Sequence, residues 1–371
     1  MSSQNLFLIK LFYIENLINI YKPSYAYIPK KYKSYFNSPR TVANLGDYLL
    51  IQLNKIVEKT IDDKVALLLG TSGTTGNPKL IKLSYDNLHS NTKSILKFLP
   101  IKKNDKTITT LQPGYSYGLS VINTHLYKGA TVILNNYSII EKKFWDLFNY
   151  YGVNSIAGVP YTYSILKKLN FLKRKNLKLR YMTQAGGKLS ENLVDEFNIF
   201  CKKNNLKFFI MYGQTEATAR ISFLDWDSID KKKGSIGKSI YKGKMYLIDE
   251  NNKKIHRPFV NGEIIYEGPN VMIGYANNYK DLIKNQKNIK KLNTGDIAFK
   301  DKDNFFYIVG RKNRFTKLFG NRINLEDIEK YLVEKQIDSA VIGDDKYLYV
   351  FYIKKKNNIN IQKILSENFN I

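Results

Sequence analysis

Between Val65 and Met211, short apolar runs alternate with stretches of helical spacing, and this alternation constrains the fold more tightly than any other feature of the chain. Val65–Gly70 (VALLLG) is an apolar run closed by glycine, the pattern of a buried strand. A helix is expected over Asp86–Leu99, a strand at Lys106–Leu111, a helix at Leu119–Tyr127, a strand at Ala130–Leu134 and a helix at Ile140–Tyr150. Ser155–Val159, Arg180–Gln184 and Lys207–Met211 read as further strands, separated by helices at Tyr161–Leu169 and Glu191–Lys203. The pattern predicts an α/β fold of largely parallel sheets flanked by helices, with ligands at the strand C-termini. From about Gly234 the helices give way to β-formers at Lys244–Ile248, Gly262–Tyr266, Ile297–Lys300 and Phe305–Val309, with a turn at Asp249–Asn252. This is a strand-rich subdomain. A helix at Leu325–Glu334 and strands at Ser339–Ile342 and Tyr347–Ile353 then make a small C-terminal α+β lobe.

Composition removes several classes of function. With 371 residues, of which 43% are hydrophobic, the chain has enough apolar surface for two to three packed domains. One cysteine, Cys201, excludes a disulfide framework, a Cys-based zinc site and an iron–sulfur cluster, and suits a reducing cytoplasm. The three histidines (His89, His125 and His256) are too far apart in sequence to form a local metal pair. A formal charge of +27 fits a nucleic-acid or membrane-surface binder. The lysines, however, are spread along the whole chain among abundant Asn, Ile and Tyr, which reads as A+T-rich codon usage. Clusters such as Lys231–Lys233 and Lys354–Lys356 then read as solvated surface, and no nucleic-acid partner is expected. Lys10 and Glu15 interrupt the apolar run Asn5–Tyr21, which falls short of the ~18 apolar residues of a membrane span. A buried amphipathic helix is expected there, with no membrane span and no targeting signal.

The chemistry begins at Gly70-Thr71-Ser72-Gly73-Thr74-Thr75-Gly76-Asn77-Pro78-Lys79. Glycines at every third position let the backbone bend tightly and aim N–H groups at an anion; hydroxyls add donors and Lys79 adds charge. No Gly-Lys-Ser/Thr closes the segment, so it is not the Walker pattern. A Gly/Thr-rich surface turn is the alternative.

Thr71–Lys79 resembles the phosphate loop of the adenylate-forming superfamily, which includes acyl-CoA synthetases, aryl-CoA ligases, luciferases and peptide-synthetase adenylation domains. Further blocks follow in the family's order. Gln184-Ala185-Gly186-Gly187 resembles the segment along the adenine. Tyr212-Gly213-Gln214-Thr215-Glu216 resembles the motif whose tyrosine stacks on adenine, whose threonine touches the α-phosphate and whose glutamate holds Mg²⁺. Gly234–Lys238 and Gly262-Glu263…Gly268-Pro269…Gly274-Tyr275 resemble structural blocks, and Thr294-Gly295-Asp296 the ribose-binding aspartate motif. Gly310-Arg311 with Lys317…Gly320-Asn321-Arg322-Ile323…Glu329 resembles the hinge and thiol-side loop.

The resemblance runs from about Val65 to Glu329. It implies Lys79, Thr215 and Glu216 as catalytic residues, with Glu216 also the metal ligand. Nucleotide contacts are implied for Thr71, Ser72, Gly73, Thr74, Thr75, Gly76, Gly186, Gly187, Tyr212, Gly213, Asp296 and Arg311. The implied reaction joins a carboxylic acid to ATP, with Mg²⁺, to give an acyl-adenylate and pyrophosphate. The acyl group then passes to coenzyme A or to the phosphopantetheine arm of an acyl carrier protein. A large ATP- and acyl-binding domain is expected over 1–310, with a reduced N-terminal part and the β-rich subdomain from about 234, and a truncated lobe over 311–371.

The residue types suit these roles. A flat aromatic beside glycine, Tyr212-Gly213, leaves room for a purine; the alternative is a core aromatic. Asp296 after Gly295 is a fixed carboxylate for a diol, or else a turn carboxylate. Glu216 is a hard oxygen ligand, or else a helix-start carboxylate.

Three departures from the family pattern shape the expected function. Gly118, within Tyr115–Ser120, stands where amino-acid-activating relatives place an aspartate. An ammonium there would lack a counter-charge, so acyl or aryl acids are expected instead. Asn313 occupies the usual hinge-aspartate position. No glycine follows Asp344, so the Gly-Lys motif whose lysine serves adenylation is missing. A chain lacking it is expected to adenylate slowly, to need the lobe in trans, or to bind adenylate without catalysis.

Overall fold

The computed structural model describes residues 14–36, 39–53, 61–70, 79–283, 289–318, 321–343, 347–353 and 360–366. The chain forms two compact units interleaved in sequence. One comprises Met1–Lys188, Gly213–Arg220 and Gly268–Lys290; the other comprises Leu189–Tyr212, Ile221–Glu267 and Lys291–Ile371.

In the first unit, the strand Val65–Gly70 forms as expected, but its surroundings differ from those the sequence suggested. It pairs antiparallel with Leu80–Ser84, which in turn pairs antiparallel with Gly274–Ala276. The segment 71–79 therefore joins two antiparallel neighbours and does not follow a parallel strand. Leu80–Ser84 was not foreseen, because Lys82 interrupts its apolar residues. Lys82 is nevertheless buried, and its ammonium donates to the Asp281 carbonyl at 2.7 Å. Ile81 and Leu83 pack with Leu69 and Met272.

Ser84 also starts the next helix, Tyr85–Ile95. Its hydroxyl accepts from the Asn87 N–H, and the Asn87 side chain accepts from the Ser84 N–H. The Asn87 amide then donates to the Pro269 and Val271 carbonyls, both at 2.8 Å, and so ties the approach to Gly274–Ala276 to this helix.

Parallel pairing, among the described strands of this unit, runs in the order Tyr181–Gln184, Ser155–Gly158, Lys106–Ile108, Thr131–Ile133. The helices Ser116–Tyr127, Lys142–Tyr151 and Pro160–Lys168 connect or flank these strands. Tyr117 and Tyr163, both buried, send their hydroxyls to the Thr183 carbonyl. Arg180 pairs with the buried Asp105 at 2.5 Å, which in turn accepts from the Lys102 N–H. Ahead of these elements lie a helix over 14–21 and a three-stranded antiparallel sheet in which Tyr48–Gln52 sits between Tyr25–Pro29 and Arg40–Leu45. Among the described residues no helix is long and apolar enough to cross a membrane.

The second unit contains the helix Glu191–Lys203 and the strand Lys207–Tyr212, which pairs antiparallel with Ser222–Leu224 and through it with Lys238–Ser239. A five-stranded antiparallel sheet follows in the order Lys254–Ile255, Lys244–Ile248, Gly262–Glu267, Lys291–Lys300, Phe306–Arg311. The C-terminal segment has its own apolar cluster, in which Leu325, Ile328 and Leu332 of the helix Leu325–Glu334 pack on Ile337, Val341 and Leu365.

In this unit Gly237 is required by close approach. Gly237 has φ +78°, and a Cβ there would lie 1.7 Å from the Phe223 carbonyl oxygen. Gly46 has the same sign of φ (+61°), with nothing within 4 Å of its Cβ position. Gly46→Ala should therefore cost only the left-handed backbone penalty of about 1–2 kcal/mol. Gly237→Ala should cost clearly more, because Ser222–Leu224 and Lys238–Ser239 must separate. Urea denaturation of the two variants checks this, and equal losses would contradict it.

Candidate active site

In the first unit the segment Gly213–Arg220 is held in a shape that few sequences tolerate. A Cβ at Gly213 would lie 1.8 Å from the Ala219 carbonyl oxygen, so only glycine fits there. Thr215–Ala217 forms one 3₁₀ turn, and Thr218 takes φ +64°, a rare conformation for a β-branched residue. Buried contacts hold that strain in place. Thr218 donates to the Asn270 carbonyl at 2.7 Å, and the Asn270 amide donates to the Ala217 and Arg220 carbonyls, both at 2.8 Å. The Met272 N–H adds a bond to the Glu216 carbonyl at 2.8 Å.

These contacts fix the side chains of Thr215 and Glu216. The Thr215 hydroxyl lies 3.3 Å from that of Ser116, at the start of the helix Ser116–Tyr127. The Tyr275 hydroxyl donates to Glu216 Oε1 at 3.1 Å, and the ring of Tyr275 carries the Lys79 ammonium 3.5 Å from its centroid. Burial, followed by the Glu216 carboxylate, pushes the Tyr275 phenol up to about 12. Lys79, Glu216 and Thr215 therefore belong to one neighbourhood of this unit, and Tyr275 joins the first two.

Gly186 and Gly187 form a turn with φ +80° and +159°, closed by the Gln184 side chain donating to the Gly187 carbonyl at 2.8 Å. A Cβ on Gly186 would lie 2.5 Å from the Tyr115 hydroxyl. Gly118 sits inside its helix, where a Cβ would lie 2.3 Å from the Gln112 carbonyl oxygen, so an aspartate there would need the backbone to move. Buried Arg220 stacks over Tyr117 with 4.0 Å from guanidinium to ring, and burial lowers its basicity.

The second unit holds a separate constellation. Asp296 is buried in the strand Lys291–Lys300, directly opposite Arg311 in the register with Phe306–Arg311. Its Oδ1 pairs with Arg311 Nε at 3.1 Å, and its Oδ2 accepts from the Tyr212 hydroxyl at 2.5 Å. Burial, and then Asp296, push the Tyr212 phenol well above its ordinary value. The Thr294 hydroxyl accepts from the Asp296 N–H, and the neighbouring Gly295 faces open space, with nothing within 4 Å of its Cβ position.

Thr71, Ser72, Gly73, Thr74, Thr75 and Gly76 lie outside the described residues, as does Gly320. The strands Phe315–Leu318 and Asn321–Asn324 on either side of Gly320 pair antiparallel. Tyr275, Ser116 and Asn270 were not foreseen as site residues, since no local pattern connects them to Glu216 or Thr215.

The donor set suits a nucleotide with Mg²⁺. Among the described residues no group of three or more His, Cys, Asp or Glu could cage a metal. A single carboxylate such as Glu216, completed by phosphate oxygens and water, is the usual arrangement for Mg²⁺. A carboxylate oriented by two partners, as Asp296 is by Tyr212 and Arg311, suits a ribose diol.

Comparison with known proteins gives the same direction. The family described as AMP-binding enzyme matches residues 26–276. The 2-succinylbenzoate–CoA ligase of Bacillus subtilis (strain 168) is 27% identical over 274 residues, 73% of this chain and 54% of that protein. Luciferin 4-monooxygenase of Nipponoluciola cruciata is 27% identical over 302 residues, 78% of this chain and 53% of that protein. Among solved structures, o-succinylbenzoate coenzyme A synthetase from Bacillus subtilis, in complex with ATP and magnesium ion, matches with a TM-score of 0.65. It shares 25% sequence identity over 81% of this chain and 63% of that one. The chain spans about half the length of these two curated relatives.

The Tyr117 phenol, buried under Arg220 and bonded to Thr183, is pushed up to about 12, chiefly by burial. In the unfolded chain a tyrosine ionises near 10. The stabilisation tied to neutral Tyr117 is therefore complete below about pH 10 and is lost as the pH rises from there towards 12, by about 1.4 kcal/mol per unit. Tyr117→Phe should flatten that alkaline fall in urea midpoints. An unchanged slope in the variant would remove Tyr117 from the account.

Proposed function

The chain belongs to the AMP-binding enzyme family, and we propose that it activates a carboxylic acid with ATP, forming an acyl-adenylate and releasing pyrophosphate. The observation that carries this reading is Asp296, buried and oriented by Tyr212 at 2.5 Å and Arg311 at 3.1 Å. In this reading Asp296 takes the ribose diol, and Tyr212 and the turn at Gly186 and Gly187 lie along the adenine. Gly213 lets the Thr215 turn come close, and Thr215 donates to the α-phosphate. Lys79, with the hydroxyls and N–H groups of Thr71–Gly76, meets the phosphate charge. Glu216 holds Mg²⁺, which when bound neutralises phosphate charge and aligns the departing pyrophosphate.

The substrate carboxylate attacks the α-phosphorus, the bond to the pyrophosphate oxygen breaks, and the negative charge leaves with pyrophosphate. The protein's contribution is positioning and fixed opposite charge, as in other phosphoryl chemistry. The thiol of coenzyme A or of a carrier protein's pantetheine arm then attacks the acyl carbonyl, the acyl–phosphate bond breaks, and AMP leaves as the thioester forms. Relatives named for 2-succinylbenzoate and for coenzyme A support an aryl acid and that acceptor. Gly118, where the backbone leaves no room for a side chain, supports acyl or aryl acids over amino acids.

Calorimetry should show ATP binding that weakens in Asp296→Ala by about 1.5–3 kcal/mol, the size of a hydrogen bond to a charged group. Unchanged affinity would take Asp296 out of the site. In ATP–pyrophosphate exchange, aryl and acyl acids should stimulate label incorporation, and a panel in which only α-amino acids respond would overturn the substrate class. Tight ATP binding with no exchange for any acid would make the chain an adenylate binder instead of a ligase.

A further inference from the structure

Tyr275 stands on the strand Gly274–Ala276, opposite Ile81 of Leu80–Ser84, two residues beyond Lys79, which ends the phosphate-loop segment. It makes two contacts of different kinds. Its ring face takes the Lys79 ammonium, 3.5 Å from the centroid, and its hydroxyl donates to Glu216 Oε1 at 3.1 Å. A lysine and a glutamate that share one ring attract each other, and with Glu216 and Tyr275 partly buried the attraction is screened less than between two fully exposed charges, although Lys79 itself is exposed. Among the described residues each of the two charges is instead met by Tyr275, the ammonium at its ring face and the carboxylate at its hydroxyl.

We propose that Tyr275 is a positioning residue that keeps Lys79 and Glu216 from neutralising each other. The inference rests on the nucleotide reading of Lys79 and Glu216. A direct pair would tie the ammonium to a carboxylate when it has to meet phosphate, and would present a metal with a half-neutralised ligand. The phenol prevents this by offering each charge a neutral partner. A cation–π contact leaves the ammonium's N–H groups able to turn towards an anion, and a single hydroxyl bond orients the carboxylate without removing its charge.

The two contacts can be removed separately. Tyr275→Phe keeps the face and loses the hydroxyl; Tyr275→Leu loses both. Two readouts serve, one with ligand and one without. In calorimetry, Tyr275→Phe should bind Mg²⁺-free ATP within about twofold of wild type and need severalfold more Mg²⁺ for half-saturation. Tyr275→Leu should lose about tenfold in Mg²⁺-free ATP affinity, because Lys79 then pairs with Glu216. Adding Glu216→Gln to Tyr275→Leu should restore most of that loss, which a merely structural role for the ring would not do.

Without ligand, the rate of Lys79 acetylation at one fixed pH, read by peptide mass spectrometry, gives the same answer. Acetylation should slow severalfold in Tyr275→Leu and recover when Glu216→Gln is added, as expected for an ammonium that gains and then loses an opposite charge favouring its charged, unreactive form. Should Tyr275→Leu fail to fold, the Mg²⁺ shift in Tyr275→Phe decides alone, and an unshifted Mg²⁺ requirement overturns the proposal. An unchanged rate of Lys79 acetylation in a folded Tyr275→Leu overturns it as well. Wild-type protein that binds no ATP contradicts the nucleotide reading, and the acetylation result still decides whether Tyr275 separates the two charges.

Discussion

A carboxylate taken out of water has to be met by donors or positive charge, and Asp296 is met by both. The Tyr212 hydroxyl and the Arg311 guanidinium reach it from two other strands, one ending at Tyr212 and one ending at Arg311. Much of the second unit's geometry follows from this. The register that sets Asp296 opposite Arg311 places a small irregularity just beyond it, between Ile297 and Ala298, and the Thr294 hydroxyl holds the preceding turn. Two consecutive strands and a third that ends far earlier in the chain, at Tyr212, converge on one charge, so each constrains the other two.

The first unit depends on a steric constraint. Gly213 has no room for a side chain, and Thr218 holds a conformation that β-branched residues avoid. Asn270 makes that shape affordable by bonding both ends of the turn. Glu216 and Thr215 are thereby aimed by the backbone, and Tyr275 sets how Glu216 relates to Lys79. Positioning of this kind is what acyl-adenylate chemistry asks of a protein, since the bonds that change belong to the substrates.

Elements with strong local signals were legible in the sequence. Glu191–Lys203, Lys244–Ile248 and Leu325–Glu334 occur with the bounds their spacing implied, because the two helices carry their buried apolar residues at helical spacing and the strand is a short run of β-formers closed by a turn. The helix expected from Leu119 begins one turn earlier, at Ser116, since Tyr117 buries its ring and bonds to Thr183. The pairing of Val65–Gly70 was not legible: an apolar strand reads alike in a parallel or an antiparallel sheet, and only its neighbour decides. The sheet over Tyr25–Gln52 escaped notice because Arg40–Leu45 is largely exposed and lacks a clean alternation. Of the candidate site, the separate motifs were visible as residue types, with Tyr212, Asp296 and Arg311 in three of them. That these three meet, and that Tyr275 serves both Lys79 and Glu216, depends on contacts between residues far apart in the chain, for which no spacing rule exists.

The central claim is that Asp296, fixed by Tyr212 and Arg311, reads the ribose of a bound nucleotide. The most direct measurement compares the affinity of the unmodified chain for ATP and for 2′,3′-dideoxy-ATP, which differ only in the diol, and repeats the comparison in Asp296→Asn. The account predicts at least about tenfold tighter binding of ATP to the unmodified chain, in line with a charge-assisted hydrogen bond, and little difference in the variant. Equal affinity for the two nucleotides in the unmodified chain would contradict it.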